Sequence, residues 1–153
     1  TELRLDYLYN DGDAGNNAFE DYEHIFSLNS QSDWDRLHLV TDLIYGAEGA
    51  YGSTDVYGLV LMPYYDITDK LELVFRYTFS ASNNSTGLAN TSRYEDDATG
   101  DLFGDEYHAF YMGLNWYICG DKLKIMNGVE YSTLSGFDDV DYWTFLSGIR
   151  FYF

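Results

Sequence analysis

The sequence predicts an all-β chain: an antiparallel, up-and-down transmembrane β-barrel wall with eight strands. Three observations predict it. Apolar and polar residues alternate with a period of two along eight segments, and no helical stripe competes with them. The connections between those segments alternate strictly between short and long. Aromatic residues gather toward both ends of the segments, with Leu, Ile, Val and Met between them, as membrane interfaces select. A soluble antiparallel barrel with Tyr-rich strands is the competing reading.

The predicted strands are 1–9, 22–31, 35–46, 55–66, 71–82, 106–118, 122–134 and 141–153. The first opens on Thr1-Glu2-Leu3-Arg4-Leu5-Asp6-Tyr7, already alternating. Pro63 lies inside the fourth; a central strand cannot spare an N–H, so the ladder is expected to be ending there. In the fifth, Leu71, Leu73, Phe75, Tyr77 and Phe79 oppose Glu72, Val74, Arg76, Thr78 and Ser80. The sixth repeats the design, with Phe110, Met112, Leu114, Trp116 and Ile118 on one side and Tyr107, Ala109, Tyr111, Gly113, Asn115 and Tyr117 on the other. The eighth is the clearest: Trp143, Phe145, Ser147, Ile149, Phe151 and Phe153 share a face.

Short connections are expected at Ser32-Asp33-Trp34, Ile67-Thr68-Asp69-Lys70 and Cys119-Gly120-Asp121; the long ones are 10–21, 47–54, 83–105 and 135–140. This alternation collects every long loop at one end of the sheet, as outer-membrane barrels do. One aromatic group (Tyr64, Tyr65, Trp116, Tyr117, Phe151, Tyr152 and Phe153) belongs to the short-turn end. The other (Tyr7, Tyr9, Tyr45, Tyr57, Tyr77, Phe79, Tyr107, Phe110, Tyr131 and Trp143) lies toward the long loops.

Composition removes other classes. With 26 acidic against 8 basic residues the net charge is -18, and no basic face is available to neutralise nucleic-acid phosphates. The 16 Tyr, 10 Phe and 3 Trp exclude a disordered acidic chain, which is aromatic-poor. No apolar run approaches the roughly 20 residues of a membrane helix. Cys119 is the single cysteine and forms no intrachain disulfide. Without an initiator Met or signal segment, the chain is expected to be a processed protein or a fragment lacking its upstream part.

The alternation assigns Arg4, Asp6, Asp42, Glu72, Arg76, Lys124, Glu130 and Arg150 to the face opposite the apolar one, hence to the lumen. They act there either as a transverse field on water and solutes or as ion pairs that hold strand register. The acidic loops, with Asp11, Asp13, Glu20, Asp21, Glu95, Asp96, Asp97, Asp101, Asp105, Asp138, Asp139 and Asp141, offer hard oxygen ligands. Neither Asn10-Asp11-Gly12-Asp13 nor 96–101 has EF-hand spacing, so solvated charge is favoured over a cation site. His24 and His108, beside Glu23 and Glu106, raise a rim-hydrolase alternative, but Ser27 falls on the face opposite His24. His38 is expected to hydrogen-bond in the interior. No phosphate-cradling glycine loop, Cys/His metal set or nucleophile elbow is present, and no cofactor is expected.

Residues 63–77 (Pro63-Tyr64-Tyr65-Asp66 through Phe75-Arg76-Tyr77), 104–117, 122–131 and the closing Gly148-Ile149-Arg150-Phe151-Tyr152-Phe153 resemble the phosphate-selective porin O and P family of Gram-negative outer membranes. The resemblance implies the C-terminal half of a 16-stranded, trimeric barrel in the bacterial outer membrane. Its partners would be membrane lipid and lipopolysaccharide, with the assembly machinery reading the C-terminal strand. It implies a passive channel for small hydrophilic or ionic solutes, phosphate and other anions included, and no enzyme. A complete eight-stranded barrel without a pore is the alternative architecture. None of the family's basic ladder positions matches here, and the acidic balance argues for weak selectivity.

Overall fold

The computed structural model describes residues 1–9, 22–48, 54–90, 95, 100–120 and 122–152. Among these residues ten strands follow in chain order: β1 (Glu2–Tyr9), β2 (Tyr22–Trp34), β3 (Leu37–Glu48), β4 (Val56–Thr68), β5 (Leu71–Ser82), β6 (Leu88–Ala89), β7 (Phe103–Gly104), β8 (Glu106–Tyr117), β9 (Leu123–Ser135) and β10 (Val140–Phe151). Eight form one antiparallel up-and-down sheet in the order β1-β2-β3-β4-β5-β8-β9-β10. No helix occurs among the described residues. The sheet is open: β1 and β10 are its edges and do not pair with each other.

Several expectations need correction. Trp34 still belongs to β2, and the chain turns at Asp35-Arg36, because Asp35 takes the left-handed φ of 54° that a short polar side chain tolerates. β4 continues past Pro63 to Thr68. Its ladder to β5 instead lapses, passing from Leu61↔Tyr77 to Tyr64↔Val74, so the proline's missing N–H falls in a gap. The long connection 83–105 contains a ribbon, β6 paired with β7. Asn90 holds it, accepting from the Leu102 amide (3.2 Å) and donating to the Gly100 carbonyl (3.0 Å).

Register places every strand's alternate residues on two faces. One is mainly apolar and exposed, with Leu5 71% and Phe145 83% accessible, though Ser30, Thr41, Asn127 and Ser147 also lie on it. The other carries most of the charges, together with Tyr64, Tyr107 and Tyr117, which alternation removes from the two aromatic groups; Glu106 and Asp141 stand at the long-loop end of the apolar face. Among the described residues no second layer covers the apolar face. Among the described residues the buried apolar ones are Ala109, Leu134 and Tyr142, all on the charged face of β8–β10, where Asn90 meets the Tyr142 hydroxyl (3.3 Å) and Gly104 lies against Leu134. A sandwich would bury its apolar faces between sheets; this sheet buries none of that kind.

The apolar face contains a repeat. In β1–β4 the register aligns Tyr7, Phe26, Tyr45 and Tyr57 in a row; in β5, β8, β9 and β10 it aligns Tyr77, Phe110, Tyr131 and Trp143. The contacts repeat as well. Ring centroids are 4.8 Å apart for Tyr7–Phe26 and 4.9 Å for Tyr77–Phe110, 5.1 Å for Tyr45–Tyr57 and 5.0 Å for Tyr131–Trp143. Between the halves the row steps four residues, since Tyr57 faces Ala81 rather than Tyr77. Such a stagger is what strand tilt in a closing sheet requires.

Candidate functional site

The eight charged residues singled out by sequence all lie on the same face, but they form separate contacts rather than one cluster. Arg4 and Asp6 pair at 3.0 Å on the edge strand, largely in solvent, where such a pair contributes little. Asp42 accepts the Ser27 hydroxyl at 2.8 Å. Arg76 on β5 reaches over β8 to Glu130 on β9, Nη2 to Oε2 2.6 Å, with its guanidinium 5.3 Å above the Tyr111 ring. The Tyr111 ring lies across Gly113 and Gly128, a directly paired couple, and a Cβ at either would collide with it.

Nearer the short turns, Glu72 accepts from Asn115 (2.5 Å) and Tyr117 (3.2 Å). Lys124 sits 5.0 Å from the centre of the Tyr117 ring and within 3.4 Å of its hydroxyl. Directly across the ladder from Lys124 stands Arg150, its guanidinium 4.6 Å from the Tyr152 ring. Among the described residues neither cation has a carboxylate within ion-pair distance, and like charges directly opposite one another destabilise a sheet. Among the described residues these two cations of β9–β10 thus stand without an ion-pair partner. Asp33, Asp42, Asp66 and Glu72 occupy the same face of β2–β5.

No protein-family model matches this chain, and no curated protein or solved structure matches it either.

Three histidines lie in polar settings. His38 bridges three strands: Nδ1 is 2.6 Å from Asp33 on β2 and Nε2 is 3.2 Å from Asp66 on β4, and the ring stacks on Tyr64 at 4.6 Å. Carboxylates only accept, so holding both contacts requires the imidazolium. His24 and His108 belong to the apolar face instead. Nδ1 of each meets a tyrosine hydroxyl (Tyr7, 2.9 Å; Tyr77, 2.8 Å), and Nε2 meets a carboxylate (Glu23, 3.5 Å; Glu106, 2.7 Å). Both ring nitrogens are thus engaged, and these contacts fix the tyrosines of the upper row. Tyr45 and Tyr131 are held likewise, each hydroxyl donating at 3.1 Å to Asp55 or Asp141.

Sequence reasoning missed the inward-facing contacts of the β5–β8 connection. Glu95 is buried to 3% exposure, accepting from the Ser132 and Tyr107 hydroxyls on the charged face. Its run of loop acids gave no sign of this. The repeat was legible: Asp21-Tyr22-Glu23-His24-Ile25-Phe26-Ser27-Leu28 parallels Asp105-Glu106-Tyr107-His108-Ala109-Phe110-Tyr111-Met112. Asp11, Asp13, Glu20, Asp21, Asp96, Asp97, Asp121 and Phe153 lie outside the described residues. Among the described residues no three His, Cys, Asp or Glu side chains are placed to hold a metal.

Proposed function

We propose that this chain forms part of the wall of an outer-membrane porin, a passive channel for small hydrophilic or ionic solutes. The observation that carries the reading is the division of one single-layer sheet into a mainly apolar, exposed face and an opposite face bearing charges of both signs. Contiguous exposed apolar surface of this extent marks a membrane or a partner, and the aromatic rows favour the membrane. Tyr7, Phe26, Tyr45, Tyr57, Tyr77, Phe110, Tyr131 and Trp143 suit one headgroup layer; Trp34, Tyr65, Trp116 and Phe151, at the short-turn end of the same face, suit the other.

On this reading the charged face lines water, which keeps its ions solvated at low cost. Lipid and lipopolysaccharide cover the apolar face in a bacterial outer membrane, and assembly machinery reads the C-terminal strand. Lys124 and Arg150 on β9–β10 and the carboxylates of β2–β5 line different parts of the same wall with opposite charge. The acidic balance of the chain keeps selectivity weak, with phosphate passing among other small ions. Conductance in a planar bilayer is the test. Ohmic currents with a reversal potential that moves toward cations in Lys124→Glu support the channel; a folded, inserted protein that carries no current refutes it.

A further inference from the structure

We propose that the charged face carries a solute site on β5 and β8–β10, and that its ligand is a small monocarboxylate with a short aliphatic body. The structural basis is a cavity of about 490 Å³ on that face, reached by Arg76, Tyr111 and Asn115 and walled by Val74, Met126 and Leu146. Polar groups and apolar carbon share one wall there, the composition with which ligand sites orient a solute and hold it. The four strands of the cavity pair with one another in sequence, β5 to β8, β8 to β9 and β9 to β10.

The polar groups have donors to spare. Arg76 spends Nη2 on Glu130, but its Nη1 makes no hydrogen bond among the described residues, and Nε is buried without an acceptor. The side chain is 40% exposed, so the guanidinium is open to a solute. The Tyr111 ring lies under that guanidinium and across the Gly113–Gly128 couple, which sets its hydroxyl above the two glycines. That hydroxyl likewise has no partner among the described residues. A carboxylate can therefore accept from an Arg N–H and a phenol O–H at one end of the cavity. Asn115, buried, closes the other end and gives its Nδ2 to Glu72. On this stretch of the face Arg76, Lys124 and Arg150 stand against Glu72 and Glu130, and an excess of one positive charge suits a monoanion.

The apolar half of the wall chooses among anions. An inorganic oxyanion leaves Val74, Met126 and Leu146 against water, whereas each CH2 buried on them adds about fourfold to affinity. Gly148 keeps the floor open, since a Cβ built there meets only the Met126 methyl, at 3.3 Å. From the row of Tyr111 and Glu130 to that of Asn115, Met126 and Gly148 the strands advance by four residues, about 13 Å. That length admits a four-carbon acid beside the side chains that reach into it.

The inference rests on the reading above in that this face meets water; binding itself does not require current. Its test titrates the whole chain, folded in detergent micelles and isotope-labelled at the methionine methyls, with butyrate, acetate, butyramide and inorganic phosphate. Butyrate is expected to shift the Met126 methyl resonance saturably, while Met62 and Met112, outside the cavity, stay still. Acetate, shorter by two CH2 groups, and butyramide, which lacks the charge, should each bind about tenfold more weakly. Gly148→Leu fills the floor and should abolish the shift; Tyr111→Phe removes one donor and should weaken binding about fivefold. Phosphate or butyramide binding as tightly as butyrate overturns the ligand class. A Gly148→Leu chain that still binds overturns the location, and no saturable shift in the unsubstituted chain overturns the site. Unchanged Met62 and Met112 resonances report that the variants fold, and the four titrations of the unsubstituted chain decide the ligand without them. A saturable butyrate shift in a protein that carries no current would retire the channel and leave the site; current without that shift would do the reverse.

Discussion

The two four-stranded halves of this sheet share one face and differ on the other. On the apolar face, the tyrosine–histidine contacts of β1–β2 and β5–β8 agree within 0.1 Å (2.9 and 2.8 Å), and the tyrosine–aspartate bonds of β3–β4 and β9–β10 coincide at 3.1 Å. On the charged face the counterparts diverge. His38, clamped between two carboxylates, corresponds to Lys124, which meets none; Asn29 and Asp42 correspond to Gly113 and Gly128 beneath Tyr111. A face that meets a slab of fixed thickness has its rows prescribed by that slab. One that meets water is prescribed only by what passes or packs there. The halves differ in the manner expected if lipid is on the apolar side.

The largest effects should come from breaking the shared face. Leu28 and Met112 are counterparts in β2 and β8. Replacing either by Arg should cost about 2–4 kcal/mol near a bilayer midplane. Equilibrium unfolding from lipid vesicles measures both; a loss in one half alone breaks the equivalence. The charged face should respond unequally. Gly113→Ala forces Tyr111 aside, an overpacking cost of about 1–3 kcal/mol, whereas Asn29→Ala at the corresponding site should stay within about 0.5 kcal/mol. Equal losses in the same unfolding assay would show that the halves have not diverged there.

Smaller changes sharpen the match. Tyr45→Phe and Tyr131→Phe each remove one hydrogen bond to a carboxylate, so each should lose about 0.5–1.5 kcal/mol, and by similar amounts. The smallest effect concerns pH. While Asp33 and Asp66 are ionised and His38 is protonated, both its contacts hold; as rising pH removes the ring proton, one donor disappears and that part of the stability is lost. His38→Gln should flatten this dependence, as followed by histidine proton chemical shifts and unfolding at a series of pH values. Lys124→Gln in the other half should leave it unchanged.

The strands were legible because each alternates over enough residues to name its faces, and the register sets Arg76, Glu130, Lys124 and Arg150 on one face as that alternation does. What alternation cannot supply is register. The Arg76–Glu130 contact joins β5 to β9 across β8, and it depends on how far each strand slides past the next. The Asp35-Arg36 turn was misplaced because Ser32-Asp33-Trp34 is as polar as a turn, though its residues still pair with β3. The β6–β7 ribbon is held by the Asn90 side chain rather than by a hydrophobic pattern, so periodicity could not reveal it.

The central claim is that the apolar face meets lipid while the charged face meets water, and β8, well inside the sheet, tests it most directly. Single spin labels at Phe110, Tyr111, Met112, Gly113, Leu114 and Asn115 of the membrane-reconstituted protein, in a Cys119→Ser background, would report collision with oxygen and with a water-soluble nickel chelate. Oxygen, which concentrates in lipid, should reach labels at 110, 112 and 114, and the chelate those at 111, 113 and 115, with a period of two. Labels that show no alternation, or a chelate that reaches both sets alike, would contradict the account.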